Sequence, residues 1–337
     1  MGICRSCTLD SRVKYLLNPV HVLDERVVSI SVDTPSDGAH FIAFVNHILH
    51  FLDGVSLDKQ CCISGPHPLT SLKLAYSGSW VVAARADGTV ELWRLSPMRK
   101  WFRECLVVTE HVGWPTAVSS VDDTGMVTGG TDGQIILWGF SEGGLVVADQ
   151  SSGHTKSVSC LTVLSVDGLT FVLSGSNDGS IAAHEIVRVT DRCQLKLRRR
   201  IAGHLNQISS VDSFCYSDDG TLVSGGEDGT LRIWSVNDIL VQSGSSSVPH
   251  VIFADDCPVT CVRISPDGNF IASASSLGIT IFQAPNSGRS SANLGRLNLP
   301  ISGFRSIAWT GMCLLFGLDN GAVGTIDLPA KFRGRLL

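Results

Sequence analysis

The chain has 337 residues, 44% hydrophobic and 17% charged, with 34 glycines against 12 prolines, a mix that suits one large all-β domain of short strands and tight turns. A net charge of −5 at pH 7 argues against a general nucleic-acid binder, because neutralising phosphates needs a basic surface. No apolar run approaches a membrane span, and the opening residues lack the continuous apolar segment of a secretory signal, so the 11 cysteines are expected to be reduced thiols of a cytoplasmic protein.

At the start of the chain, Cys4 and Cys7 have C-x-x-C spacing but no second ligand pair, so no metal is assigned. The same residues belong to a run, Met1 to Cys7, that fits M-G-x-x-x-[ST] with Gly2 as acyl acceptor and Ser6 at the last position. Cys4 and Cys7 would supply the second acyl chain that stable anchoring takes. This reading requires Met1 to be the start and residues 1–11 to be a flexible arm. Val13-Lys14-Tyr15-Leu16-Leu17 then has the composition of a strand.

From residue 27 onward one phrase recurs. "VVAARADGTVELW" ends at Trp93, "MVTGGTDGQIILW" at Trp138, "FVLSGSNDGSIAAH" at His184 and "LVSGGEDGTLRIW" at Trp234. Weaker copies carry Asn46-His47, Leu277-Gly278 and Asn320-Gly321 at the turn, making seven. The turn aspartates Asp87, Asp132, Asp178 and Asp228 lie 45, 46 and 50 residues apart. Asp-Gly and Asn-Gly provide the positive φ that hairpin turns require. A strand-like run precedes each hairpin ("VVSISV" at 27, "SLKLAY" at 71, "AVSSV" at 117, "VSCLTVL" at 158, "ISSVDSF" at 208, "VTCVRIS" at 259, "FRSIAW" at 304) and a more variable run follows most of them. Apolar residues alternate with period two, which excludes helical repeats. Four strands per period in the forties are the content of a propeller blade.

Over residues 21–328 the chain resembles the WD-repeat family of β-propellers. The opening Gly-His of such repeats stands at Gly153-His154 and Gly203-His204, His67 and His111 hold similar places without the glycine, and no copy ends in a literal Trp-Asp. The resemblance implies an all-β, seven-bladed propeller of four-stranded antiparallel blades over residues 12–330, with a tail at 331–337. After the last hairpin only a short basic segment headed by Pro329 remains. The N-terminal "VKYLL" is therefore inferred to supply the outer strand of the last blade, the alternative being closure by the tail. The chain would also be compatible with the terminal propeller of a larger protein, such as a BEACH-domain protein.

Ser224, His204 and Asp228 have the composition of a nucleophilic triad. The resemblance instead implies buried structural tetrads: His204, Ser224, Asp228 and Trp234; then His111, Thr128, Asp132 and Trp138; then His154, Ser174 and Asp178, with His184 in the tryptophan position. Recurrence in several blades argues against a single active site, and no catalytic residue, metal, cofactor or small-molecule substrate is assigned. Ala83 stands in blade 2 where the hydroxyl should be, and blades 1, 6 and 7 lack the Asp–Trp pair, so those blades are expected to rely on apolar packing.

Loops on a rigid ring are where recognition sits. On the face bearing the Asp turns, Arg85, Trp114, Lys156, Asn177, Asn206, Gln207 and Glu227 are the candidate partner-binding residues, with Trp114 as an aromatic anchor or else tucked over its blade. Lys196, Arg198, Arg199 and Arg200 lie on an expected outer strand, where charge protects an edge. The "LRRR" within that run resembles, weakly, the Leu/Phe-Arg-Arg-Gly motif of phosphoinositide-binding propellers. The expected function is a non-enzymatic scaffold or adaptor that binds proteins or peptide segments on a propeller face. The alternative is a membrane-associated adaptor, held by N-terminal acylation or by the basic strand.

Overall fold

In a computed structural model of the chain, residues 6–9, 13–17, 21–22, 27–33, 40–45, 47–53, 59–74, 80–95, 101–121, 125–141, 144–189, 192–216, 219–240, 249–253, 257–285, 292–297, 302–310 and 313–327 are described. Their strands fall into seven antiparallel sheets. Numbered from the N-terminus and from the axis outward, blade 1 is Val27–Asp33, His40–Val45, Ile48–Asp53 and Lys59–Ser64. Blade 2 is Leu69–Leu74, Trp80–Arg85, Thr89–Leu95 and Trp101–Val108. Blade 3 is Pro115–Val121, Gly125–Gly130, Gln134–Ser141 and Gly144–Ser152. Blade 4 is Val158–Val166, Leu169–Ser176, Ser180–Val189 and Arg192–Ala202. Blade 5 is Ile208–Tyr216, Asp219–Gly226, Thr230–Ser235 and His250–Phe253. Blade 6 is Val259–Ile264, Phe270–Ser275, Gly278–Gln283 and Ala292–Leu297.

Blade 7 contributes Phe304–Thr310, Cys313–Leu318 and Ala322–Asp327 in sequence. Its fourth strand comes from the other end of the chain. Val13–Leu17 pairs antiparallel with Ala322–Asp327, matching Leu16 to Asp327 and Leu17 to Ile326, and His21–Val22 continues the pairing opposite Val323 and Ala322. Ser6–Leu9 then adds outside Val13–Leu17. Residues 6–9 were expected within a flexible arm and instead form this hairpin, pairing Ser6 to Leu16 and Leu9 to Val13. Each innermost strand touches that of the next blade, and the innermost strand of blade 7 touches that of blade 1. The ring is therefore closed, and the described residues form a β-propeller of seven blades. Residues 331–337 lie outside the described residues.

The core is divided into wedges between neighbouring blades. Trp80, Val82 and Leu92 of blade 2 pack with Val118, Met126 and Trp138 of blade 3. Phe270 and Ile281 of blade 6 pack with Phe304, Ile307 and Phe316 of blade 7, where the Phe304 and Phe316 rings meet edge-on at 5.5 Å. The second strands are buried along their whole length in blades 2, 3 and 6, so they read as continuous apolar or small-residue runs. The Asp-Gly turns of the recurring phrase take the left-handed conformation at Gly88, Gly133, Gly179 and Gly229, with φ from 73 to 85°. One unexpected element is the single helical turn Val236–Leu240, which buries Val236 and Ile239, three residues apart, against blades 4 and 5.

Candidate functional site

Blade 5 shows how the recurring phrase is wired. The Trp234 indole donates to Ser224 Oγ at 3.0 Å. Ser224 Oγ lies 2.8 Å from His204 Nε2, and His204 Nδ1 lies 3.0 Å from Asp228 Oδ1. An indole only donates and a carboxylate only accepts, so one assignment satisfies every member: Ser224 donates to Nε2, and Nδ1–H donates to Asp228. Asp228 also accepts from the Leu205 and Thr230 backbone amides at 3.0 and 3.1 Å. Blade 3 repeats the chain, with Trp138 to Thr128 at 3.0 Å, Thr128 to His111 at 2.9 Å and His111 to Asp132 at 3.0 Å. Burial lowers the pKa of His111 and His204, with Asp132 and Asp228 opposing. Burial would raise Asp228, but hydrogen bonds, first among them that from Thr230, outweigh it and bring the carboxyl to about 2.

Blade 4 departs from this pattern. His154 Nε2 lies 2.8 Å from Ser174 Oγ, while its Nδ1 faces Ser180 Oγ at 3.0 Å and Asp178 at 3.5 Å. His184, in the tryptophan position, turns away from Ser174 and meets Ser151 Oγ at 3.1 Å. Its Nδ1 is buried without a hydrogen-bond partner. Burial, with the charge of His154 second, lowers its pKa to about 4. Arg200 joins this network through Asp178 at 2.7 Å and Ser180 at 3.0 Å.

Arg85 requires a correction. Expected on the exposed face, it is 1% exposed. Its Nη2 donates to Glu91 at 3.1 Å, its Nη1 donates to the His67 carbonyl at 2.6 Å, and the Trp93 indole donates to the same Glu91 oxygen at 3.0 Å. Blade 2 thus has its own network, Trp93–Glu91–Arg85, in place of the hydroxyl–imidazole–carboxylate chain. The position of Arg85, two before the turn aspartate, is Gly130 in blade 3 and Gly226 in blade 5. A Cβ on Gly226 would lie 2.4 Å from His204 Nδ1. A large side chain there and an inward histidine exclude one another, and His67 accordingly sits outside, 51% exposed on its side chain and 3.6 Å from Asp87.

The loops entering the blades and the Asp-bearing turns share one face, joined by backbone bonds such as Thr131 N to Trp114 O at 3.1 Å, Asn177 N to Ser157 O at 3.0 Å and Glu227 N to Gln207 O at 3.0 Å. On that face Trp114 is 45% exposed; Lys156, Asn206 and Glu227 are exposed, while Asn177 and Gln207 are half-buried, and Gln207 hydrogen-bonds Glu227. Two residues missed in the sequence stand beside them, Val112 at 78% and Leu205 at 89% exposed. Each directly follows its blade's buried histidine and is pinned by its backbone amide to the turn aspartate. That recurring position was the available signal. On the outer strand of blade 4, Arg198 pairs with Glu185 and Arg200 with Asp178, while Lys196 is exposed and Arg199 half-buried. Gly2 and Cys4 lie outside the described residues; Cys7 lies in the strand Ser6–Leu9 opposite Tyr15.

The family model for the WD domain, G-beta repeat, matches residues 58–94, 148–182, 195–235 and 247–280. These four segments match the WD repeat. The WD-repeat model passes over residues 95–147, although blade 3 there holds a complete tetrad. Protein ROOT INITIATION DEFECTIVE 3 of Arabidopsis thaliana is 28% identical over 189 residues, which are 54% of this chain and 41% of that protein. Autophagy-related protein 16 of Arabidopsis thaliana is 24% identical over 233 residues, 68% of this chain and 40% of that protein. Mitochondrial division protein 1 of Mycosarcoma maydis is 27% identical over 183 residues, 50% of this chain and 21% of that protein. The chain thus spans less than half the length of these relatives. No helix among the described residues is long and apolar enough to cross a membrane.

Proposed function

We propose that the protein is a non-enzymatic interaction scaffold that seats extended segments of partner proteins on the face bearing the Asp turns. One observation carries this reading. Val112 and Trp114 between blades 2 and 3, Lys156 between blades 3 and 4, and Leu205 and Asn206 between blades 4 and 5 form an arc of exposed apolar and polar side chains on loops held by the buried tetrads. Exposed aromatic and aliphatic anchors on a rigid frame are how binding energy concentrates at interfaces. The tetrads are enclosed, their imidazoles spent on structural hydrogen bonds, so the histidines and serines are assigned to holding the loops. Arg198 and Arg200 are matched by carboxylates of their own blade, which favours edge protection over a lipid-binding role for that strand.

The test is affinity capture from cells with the wild type and with Trp114→Ala/Leu205→Ser, followed by mass spectrometry. Both residues are exposed, so the variant is expected to melt with the wild type while losing a defined subset of partners. An unchanged partner set would remove this face from consideration.

A further inference from the structure

The innermost strands enclose an axial channel whose described part has a volume of about 180 Å³ and a predominantly polar lining. Two cations enter it from blades on opposite sides of the axis: Lys73 of blade 2 and Arg263 of blade 6. Arg263 Nη1 donates to Ser210 Oγ at 3.1 Å and to the Val262 carbonyl at 2.7 Å, which aims its guanidinium along the lining. Lys73 has no ion-pair partner among the described residues. The carboxylate that acts on both is Asp212 of blade 5, but it forms no ion pair with either, and it accepts the Ile264 amide at 2.8 Å. Among the described residues the other titratable groups of the lining are Cys160, Cys261 and Arg305, the last bonded to Asp319. Burial pushes the Cys160 thiol up to about 11, so it brings no negative charge.

Among the described residues around the channel, Lys73 and Arg263 are half-buried and face the single carboxylate Asp212, and the Lys73 ammonium has no ion-pair partner there. Burial is the first cause lowering the Lys73 pKa and the charge of Arg263 the second; an anion between the two cations would relieve both. A hydroxyl donor is at hand. Ser71 Oγ accepts the Val118 amide at 3.1 Å, which leaves its own proton free to donate. We infer that the channel is a binding site for a small oxyanion of the phosphate class, held by Lys73 on one side, by the Arg263 fork on the other and by the hydroxyl of Ser71. A guanidinium fork matches two oxygens of such an anion, while an ammonium contributes as a point charge.

The site lies inside the ring and is independent of the face assigned to partners. Inorganic phosphate titrated calorimetrically into the intact protein, at neutral pH and constant ionic strength set with sodium chloride, should bind saturably with one ion per chain and raise the melting temperature. Lys73→Met should weaken that binding by roughly tenfold or more, and Arg263→Lys, which keeps the charge and loses the fork, by less. Should Lys73→Met not fold, Lys73→Gln serves in its place. A wild type that shows no saturable heat, or folded Lys73 variants that bind phosphate as the wild type does, would overturn the assignment.

Discussion

Arg85 shows how one side chain redirects a network. Blades 3 and 5 leave a glycine two residues before the turn aspartate, and the histidine fills that space; in blade 2 the guanidinium fills it instead. The exchange was half legible: Ala83 in the hydroxyl slot announced a departure, but an arginine beside a turn is ordinarily a solvated residue. Its partner Glu91 is on the facing strand, and only the sheet register shows that the two meet. Removing one member of a buried ion pair costs about 3–5 kcal/mol, far more than replacing both. Arg85→Met and Glu91→Leu should each lower the urea midpoint sharply, and the double variant should fall well short of their sum; additive effects would contradict the pairing. His184 supports a second prediction. The folded chain holds this imidazole neutral down to about 4, whereas the unfolded chain protonates it below about 6.5. The unfolded state therefore binds the extra proton between those values, and the stability present above pH 6.5 is lost as the pH falls toward 4, by at most about 3 kcal/mol from this residue. His111, His154 and His204, all lowered by burial, act with the same sign. Melting temperatures taken from pH 7.5 to 4 should fall, and His184→Phe should flatten the decline.

Neighbouring blades are joined by a device that strand-by-strand reading did not show. Each innermost strand carries a β-bulge at its second residue, and in blades 2 to 6 that residue is Thr70, Thr116, Ser159, Ser209 or Thr260. Each hydroxyl donates to the first-residue carbonyl of the next blade's innermost strand: Pro115 at 2.6 Å, then Val158, Ile208 and Val259, then Phe304 at 2.8 Å. In blade 7 the position is Arg305, whose guanidinium turns to Asp319. Serine and threonine are common enough near loops that their recurrence carried no signal until the bulge was visible. Ser159→Ala should cost about 1 kcal/mol, the net worth of one hydrogen bond. Ser159→Ala/Thr260→Val should cost about the sum of the two single changes in chemical denaturation, because the Ser159–Ile208 and Thr260–Phe304 junctions share no residue. A double variant as stable as the wild type would show that the bulge hydroxyls do not join the blades. At this scale the strands themselves were legible, since alternation and Asp-Gly turns are local properties. The helical turn Val236–Leu240 was not, because five residues offer too short a window for periodicity.

At the scale of the molecule, closure depends on strands drawn from opposite ends of the sequence. Leu16→Pro would delete a backbone donor from the strand that covers Ala322–Asp327, at a cost of about 1–3 kcal/mol if the carbonyl opposite is left unpaired. It should lower the melting temperature and speed amide exchange in residues 322–327 before the other blades respond. Exchange unchanged in that strand would show that the seam is held some other way. The sequence by itself determined the number of repeats, the hairpin at the centre of each and the composition of the closing strand, because these follow from short-range spacing and turn chemistry, while the tetrads were legible only through the resemblance to WD repeats. Only the tertiary structure decided that Arg85 is buried, that Leu205 and Val112 stand exposed beside their histidines, that the arginines of blade 4 find carboxylates, and that Lys73 and Arg263 share a channel. Those outcomes depend on which residues the ring brings together across tens or hundreds of positions, and no local pattern encodes that proximity.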